Sequence, residues 1–364
     1  MNELYSLLAS TMDYGQLFKK YVNVLVHEGG SDLHFSTEMH PTIRVSSLLT
    51  PLLKEPVLRP EDTLGFAEFL LSAEQKERFL REHEIDFAYQ TAEGNRFRGN
   101  AFFQRGAIGI VLRMIPKTIR TTTELNLPEV VQSFARKTQG FFLVVGPVGQ
   151  GKTTTLASLV ELINTERMEH IVTIEDPIEY VFVPKQSMID QREVRIDTKD
   201  FATALHSAFR QDVDVILLGE MRGADTMAAA VTAAETGHLV ISTLHTNNAA
   251  QTVDRIIDTF PAAQQDQIRI QLAASLAGIF SQRLIPRVSG GLIPAYELLI
   301  NNKAISNLIR EKRTHEINTV IETSSAEGMI DMNRCLADLV SRGEITIENA
   351  YAYSLNPKVL DKLL

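Results

Sequence analysis

The chain of 364 residues carries 45 acidic and 36 basic side chains, a formal net charge of −9, and an ordinary hydrophobic content of 44%. This acidic balance disfavours a protein whose main partner is nucleic acid, although a local basic face stays open. The single cysteine, Cys335, excludes an internal disulfide framework and a four-cysteine zinc site. No apolar run approaches the roughly 20 residues that span a bilayer. Residues 1–13 lack the regions of a secretory signal, so we expect a cytoplasmic protein, or one peripheral to a membrane through partners.

The pattern of residues 1–115 predicts one α+β unit with an antiparallel sheet. It opens with Tyr14–His27, whose apolar residues recur at helical spacing. Strand-like and helical segments follow at Asp32–Ser36, Thr42–Ser46, Asp62–Leu80 (helical), Ile85–Gln90, Arg96–Gln104 and Ala107–Met114. The polar segment 116–123 begins with proline and is interpreted as a linker.

Residues 124–300 alternate short apolar strands with helices, which predicts a mostly parallel sheet covered on both faces. The predicted strands are Phe141–Val145, His170–Ile174, Val215–Leu218, Leu239–Thr243 and Pro294–Leu299. The predicted helices are Thr153–Glu166, Asp200–Gln211, Ala224–Thr236, Ala249–Phe260 and Ala263–Leu284. Residues 301–364 carry apolar stripes typical of a helical tail, at Ala304–Arg313, His315–Glu322, Asp331–Arg342 and Thr346–Tyr353.

A phosphate-binding loop follows the first of these strands and matches the pattern G-x-x-x-x-G-K-[ST]. Glycines allow backbone N–H groups to converge on an anion, and the start of the next helix adds partial positive charge. Lys152 is expected to reach the terminal phosphates, and the Thr153 hydroxyl to bind Mg²⁺. The predicted nucleotide-binding residues here are Gly146, Pro147, Val148, Gly149, Gln150, Gly151, Lys152, Thr153 and Thr154.

Carboxylates end two neighbouring strands, at the edge where an open parallel sheet binds its ligands. Glu175 closes one strand and Glu179 follows it after Asp176 and Pro177, in a position to order Mg²⁺ or water. Glu220 closes another strand, where a carboxylate can polarise an attacking water or hold the water shell of the metal. The structural alternative is a solvated acidic loop for Glu175 and Glu179, and a surface glutamate after a strand for Glu220.

Two histidines and two arginines complete the candidate site. We expect His238 to precede a strand and His245 to follow it, so that His245 senses the terminal phosphate. His238 is equally consistent with a structural, hydrogen-bonded residue. Arg98 and Arg113 of the first unit are either solvent-facing or donate charge to phosphates bound elsewhere in an assembly.

Taken together, these segments resemble the secretion and pilus motor ATPases, and within them the PilT-type retraction ATPases of type IV pili. The resemblance covers nearly the whole chain and rests on motifs in the family's order. These are Ser31–His34, the Walker A loop Gly146–Thr153, the Asp box Thr173–Glu179, the Walker B segment Val215–Arg222, the His box Thr232–Thr246 and the C-terminal motif Ala304–Glu311.

The resemblance implies a PAS-like first domain, a RecA-like P-loop ATPase domain and a hexameric ring that uses ATP and Mg²⁺. It makes Glu220 the catalytic glutamate and assigns Arg98 and Arg113 an action across a subunit boundary. The implied partner is a pilus platform protein of the inner membrane, with the ring at its cytoplasmic face. The chain departs from the family at Gln150, usually Ser or Thr, at Gly223, usually Asp, at Val213, usually Pro, and at Ser306, usually Arg.

The first hypothesis is therefore a hexameric motor that hydrolyses ATP to retract a type IV pilus, as in twitching motility. An ATPase of a type IV or type II-like secretion system is the nearest alternative, since such motors are also hexameric. A RecA-like nucleic-acid motor and a nucleotide-binding module without hydrolysis are alternatives of other classes. The acidic balance opposes the nucleic-acid motor, and Glu220 with His245 opposes the inactive module.

Overall fold

A computed structural model describes residues 12–45, 48–116, 118–221 and 223–364. The predicted strand end at Ser46, Lys117 of the linker, Arg222 of the Walker B segment and most of residues 1–13 lie outside these ranges. The chain divides into two compact units, Met1–Thr118 and Ile119–Leu364, and the division falls within segment 116–123. No helix of the described residues is long and apolar enough to cross a membrane.

The first unit contains, in its described residues, a six-stranded antiparallel sheet in the order β3-β2-β1-β6-β5-β4. The strands are β1 Asp32–Phe35, β2 Thr42–Val45, β3 Leu48–Pro51, β4 Glu84–Gln90, β5 Arg96–Gln104 and β6 Ala107–Ile115. The helices are α1 Tyr14–His27, α2 Pro60–Leu70 and α3 Ala73–Glu82. An aromatic core joins the helices to the sheet, with Phe35 and Phe66 stacked at 4.2 Å between ring centroids. The α+β prediction is confirmed, and β3 is an edge strand that the sequence pattern missed.

The second unit carries the seven-stranded sheet β13-β12-β7-β11-β10-β8-β9, parallel except for the antiparallel pair β12–β13. Its strands are β7 Gly140–Val145, β8 His170–Glu175, β9 Met188–Glu193, β10 Val215–Leu218, β11 Leu239–Leu244, β12 Leu276–Pro286 and β13 Leu292–Ile300. The strands β7, β10 and β11 are buried at every residue, which explains the unbroken apolar runs of β7 and β10 and the mostly apolar sequence of β11. The expected RecA-like sheet is confirmed.

Helices cover both faces of this sheet. They are α4 Glu129–Ala135, α5 Lys152–Glu166, α6 Phe201–Ala208, α7 Ala224–Glu235, α8 Ala249–Asp258 and α9 Ala262–Ser275. The helical C-terminal region is also confirmed, as α10 Lys303–Arg310, α11 Ile317–Thr323, α12 Met332–Ser341, α13 Ile347–Tyr353 and α14 Pro357–Leu360.

The predicted helix Ala263–Leu284 is wrong in its second half. The helix ends at Ser275, and Leu276 begins strand β12. Strand β12 is buried along most of its length because it pairs with β7 on one side and β13 on the other. Such pairing depends on residues distant in sequence, so a local apolar pattern does not reveal it. Strand β9, at the opposite edge of the sheet, was missed as well.

Candidate functional site

The phosphate-binding loop connects β7 to α5 and depends on glycine geometry. Gly146, Gly149 and Gly151 have φ values of 147°, 78° and 77°, in a region that residues with side chains rarely adopt. A Cβ at Gly146 would lie 2.3 Å from the carbonyl oxygen of Gln282. The loop therefore requires glycine both for its backbone conformation and for its close approach to strand β12.

Lys152 is buried at the start of α5 and binds its own loop. Its Nζ donates hydrogen bonds to the carbonyl oxygens of Gly146 and Pro147, each at 2.8 Å. Burial lowers the pKa of the Lys152 ammonium, and the nearby carboxylates of Glu220 and Glu179 oppose that shift. The cation thus sits within the loop, near two acidic side chains.

His245 lies between Lys152 and Glu220. Its Nδ1 is 3.3 Å from the Lys152 Nζ, and its Nε2 is 3.6 Å from the nearer Glu220 carboxylate oxygen. An ammonium donates to Nδ1 only when that nitrogen carries no proton, which puts the proton of a neutral ring on Nε2, facing Glu220. The three side chains come from α5, from the end of β10 and from the end of β11.

Glu175 closes β8 and is buried at the same edge of the sheet. One carboxylate oxygen accepts from the Thr173 hydroxyl at 2.7 Å and from the Gln191 amide at 3.3 Å. Burial raises the pKa of Glu175 to about 7, although these hydrogen bonds lower it. Thr153, Glu175 and Gly219 line one small cavity, together with Tyr180.

Gly219, which follows β10, allows the backbone to approach the end of β8 closely. A Cβ on it would lie 3.3 Å from the Cα of Glu175, tighter than most side-chain contacts. Its carbonyl oxygen also accepts from the Thr243 hydroxyl at 2.8 Å, which fixes the end of β10 against β11. Glu220, the next residue, therefore leaves the sheet at a defined point.

Further side chains of the site had no clear signal in the sequence. The Tyr180 hydroxyl lies 2.9 Å from the hydroxyl of Thr154. Gln282 of β12, whose backbone lies against Gly146, was not recognised because its segment was predicted as helix. A cavity of about 490 Å³ adjoins Glu220 and His245 and is also lined by Gln251 and Arg255. Only folding brings these residues to the site.

His238 is not brought to this cluster. It precedes β11, at the end of the strand opposite His245, as its position in the sequence predicts. Its Nδ1 lies 3.0 Å from the carbonyl oxygen of Ala233, and its ring packs edge-on against Phe209. These contacts fit the structural alternative for His238.

Arg98 and Arg113 lie opposite each other on β5 and β6 of the first unit. The Arg113 Nε donates to the Asp32 carboxylate at 2.9 Å, while 70% of the Arg113 side chain stays exposed. Both arginines line a cavity of about 210 Å³ with Asp32, Asp86 and Asn100. Asp32 offsets part of the repulsion between two adjacent cations and fixes one of them.

Ser306, where the family usually carries arginine, is held inside the second unit. Its hydroxyl lies 3.0 Å from both the carbonyl oxygen of Ala273 and the side-chain oxygen of Asn301. This position therefore links α10 to the end of α9 and presents no cation to solvent.

Comparison with known proteins gives concordant matches. The family model described as type II/IV secretion system protein matches residues 16–291. The chain is 42% identical over 323 residues to the type IV pilus retraction ATPase PilT of Pseudomonas aeruginosa, covering 89% of this chain and 94% of that protein. It is 44% identical over 296 residues to a twitching motility protein of Neisseria gonorrhoeae, covering 81% and 79%. The crystal structure of the pilus retraction motor PilT with bound ADP superposes with a TM-score of 0.89 and 43% identity, over 94% of this chain and 98% of that one.

Proposed function

Because this chain belongs to the type II/IV secretion system protein family, we propose that it is a motor ATPase that drives retraction of a type IV pilus. The observation that carries the hydrolytic part is the row Lys152–His245–Glu220, which joins the phosphate-binding loop to a strand-end carboxylate. A site that only binds nucleotide does not need a carboxylate such as Glu220 in this row.

Lys152 binds the phosphates in this proposal. A bound triphosphate supplies oxygen atoms that replace the carbonyl oxygens of Gly146 and Pro147 around the ammonium group. The ammonium then pairs with negatively charged phosphate oxygens and no longer with neutral carbonyl oxygens, which favours the bound state. The backbone N–H groups of the loop surround the same anion.

Glu220 is the proposed general base and His245 its neighbour. The Glu220 carboxylate orients the attacking water, and the Nε2–H of His245 faces that carboxylate. His245 is proposed to sense the terminal phosphate bound at Lys152, which lies beside its Nδ1. Glu179 adds negative charge near Lys152. Glu220, His245 and Glu179 therefore each have a separate role in this proposal.

The residues present fit Mg²⁺. The hydroxyl of Thr153 and the carboxylate of Glu175 line one cavity, and such hard oxygen ligands are what Mg²⁺ prefers. Among the described residues no group of three or more His, Cys, Asp or Glu side chains forms a metal site. In the proposed site Thr153 is the direct protein ligand, Glu220 or Glu175 acts through water, and phosphate oxygens and water supply the remaining ligands. Bound Mg²⁺ would neutralise charge developing on the phosphate oxygens.

The assembly proposed is a homohexameric ring at the cytoplasmic face of the inner membrane, working on a pilus platform protein. Arg98 and Arg113 then contact nucleotide bound by a neighbouring subunit. The exposed, Asp32-oriented guanidinium of Arg113 supports this, because its Nε is engaged while the fork remains accessible. No nucleic acid is expected as a partner.

The test of the hydrolytic role is Glu220→Gln. We expect unchanged ATP binding and a loss of turnover of about 10²- to 10⁴-fold, the usual contribution of a general base. Glu322→Gln, on an exposed helical position of the same unit, is the matched control. Undiminished turnover in Glu220→Gln would show that another residue activates the water.

The cellular role is tested by complementing a deletion strain with Lys152→Ala. Pili that extend but do not retract are expected. Loss of an unrelated secreted product would favour the secretion ATPase, and DNA- or RNA-stimulated turnover of the purified protein would favour the nucleic-acid motor.

The subunit arrangement is tested with Arg98→Ala and Arg113→Ala. Both should lower turnover only in assembled protein, because the arginines act on a neighbouring site. Full activity of a dilute, monomeric wild-type form would rule out the cross-subunit role.

A further inference from the structure

Gln150 is the unusual residue of the phosphate-binding loop, and its side chain reaches strand β12. Its Oε1 accepts a hydrogen bond from the backbone N–H of Leu284 at 2.7 Å. In the opposite direction, the Gln282 Nε2 donates to the backbone carbonyl oxygen of Gln150, also at 2.7 Å. Two bonds of opposite polarity therefore connect one loop residue to alternate residues of the same strand.

The Gln282 side chain continues the connection into helix α5. It is 3% exposed, and its Oε1 accepts from the hydroxyl of Thr155 at 2.7 Å. Its single amide thus binds both the loop and the first turn of the helix that follows. A buried amide with donor and acceptor both satisfied has one orientation, which it imposes on its partners.

The glycines of the loop pack on the same strand. Gly146 lies against the backbone of Gln282, and a Cβ on Gly151 would lie 3.1 Å from the Leu284 side chain. Both ends of the loop and its side-chain contacts therefore rest on the short segment from Gln282 to Leu284.

We propose that Gln150 and Gln282 form a clamp that holds the phosphate-binding loop in place before nucleotide arrives, which makes Gln150 a positioning residue for nucleotide binding. This rests on the proposed phosphate-binding role of the loop. A loop with several glycines loses much conformational freedom when it closes on a ligand. If the clamp orders the loop beforehand, that cost no longer reduces the affinity. A serine at position 150 is too short to reach the Leu284 N–H.

The clamp also determines what the loop is fixed to. Ile285, the residue after Leu284, belongs to a buried cluster with Leu336 and Leu339 of α12. Strand β12 therefore contacts the loop at one residue and the C-terminal helices at the next. If the loop moves, strand β12 must move with it. The packing of the C-terminal helices on β12 opposes that movement.

The decisive variant is Gln150→Ser in the full chain. We expect the KM for ATP to rise about three- to tenfold, the effect of losing one neutral hydrogen bond, with kcat unchanged. The amide hydrogen of Leu284 should exchange faster with solvent in the same variant. Gln150→Met, which keeps the volume and lacks the acceptor, should behave like Gln150→Ser, and Gln150→Glu should restore slow exchange at Leu284.

Gln264→Ser, at an exposed position of α9, is the control for a glutamine-to-serine change and should match the wild type. An unchanged KM in both Gln150→Ser and Gln150→Met, or an unchanged exchange rate at Leu284, would overturn the clamp. If the wild type and Lys152→Ala bind ATP equally poorly, the phosphate-binding role itself fails. The two failures are thus distinguishable.

Discussion

The buried carboxyl of Glu175 should make the second unit less stable as the pH rises. Its folded-state pKa of about 7 lies above the ordinary value of 4.5, because burial disfavours the charged form. The folded chain therefore binds this proton more tightly than the unfolded chain does. Stability falls as the pH rises from about 4.5 to about 7 and stays at the lower level above that range.

Glu175→Gln removes this titration. Because the folded-state pKa is about 7 and the ordinary value is 4.5, the carboxyl destabilises the wild type by roughly 2 to 3 kcal/mol more at pH 8 than at pH 5. Altered hydrogen bonds to Thr173 and Gln191 affect the variant similarly at both pH values and cancel in the comparison. The change in stability caused by the variant should therefore be more favourable at pH 8 than at pH 5, by roughly 2 to 3 kcal/mol.

Urea unfolding at pH 5 and pH 8 without nucleotide measures this difference. Far-ultraviolet circular dichroism is the suitable signal, since the chain has no tryptophan. Glu322→Gln on α11 controls for the removal of one negative charge from the same unit. A pH-dependent difference below about 0.5 kcal/mol, within the usual scatter of surface substitutions, would refute the argument that burial governs Glu175.

Three further results are expected. Gly146→Ala should abolish nucleotide binding in calorimetry and lower the urea midpoint, because its Cβ would meet the Gln282 carbonyl oxygen at 2.3 Å; normal binding would contradict the loop geometry. The thiol of Cys335 should resist alkylation in the native chain and react quickly in urea, since burial raises its pKa to about 12; fast native labelling would contradict that burial. Asp32→Asn should lower turnover of the assembled protein severalfold, because it removes the negative charge that holds the Arg113 Nε. Full turnover would show that Asp32 is not needed for the proposed role of Arg113.

Local chemistry made the phosphate-binding loop predictable from sequence. Its glycines, Lys152 and the following apolar stripe predict a strand, a turn and a helix, and the helix begins at Lys152, one residue before the predicted start. Glu175, Glu220 and His245 were predictable for a related reason. Each lies at or just after the end of a mostly apolar strand, and parallel strands bring their carboxyl ends to one edge.

Contacts between distant segments explain what the sequence did not reveal. The apolar residues of Leu276–Pro286 fit a helical pattern as well as a buried strand, and pairing with two neighbouring strands decides between them. Gln282 therefore had no visible partner in the sequence, although it contacts Gln150 and Thr155 in the fold. The same holds for Tyr180, whose hydroxyl meets Thr154 across the loop.

The C-terminal helices have a consequence for how this chain can change in length. Ile330 forms a bridge with Leu298 of β13, and α12 packs on the same strand with its buried residues, including Leu336. A chain ended after Ile300 would expose the apolar surface of β13 to water. Shortening or exchanging the tail alone should therefore yield insoluble protein. The tail and the sheet that it covers have to be kept or replaced together.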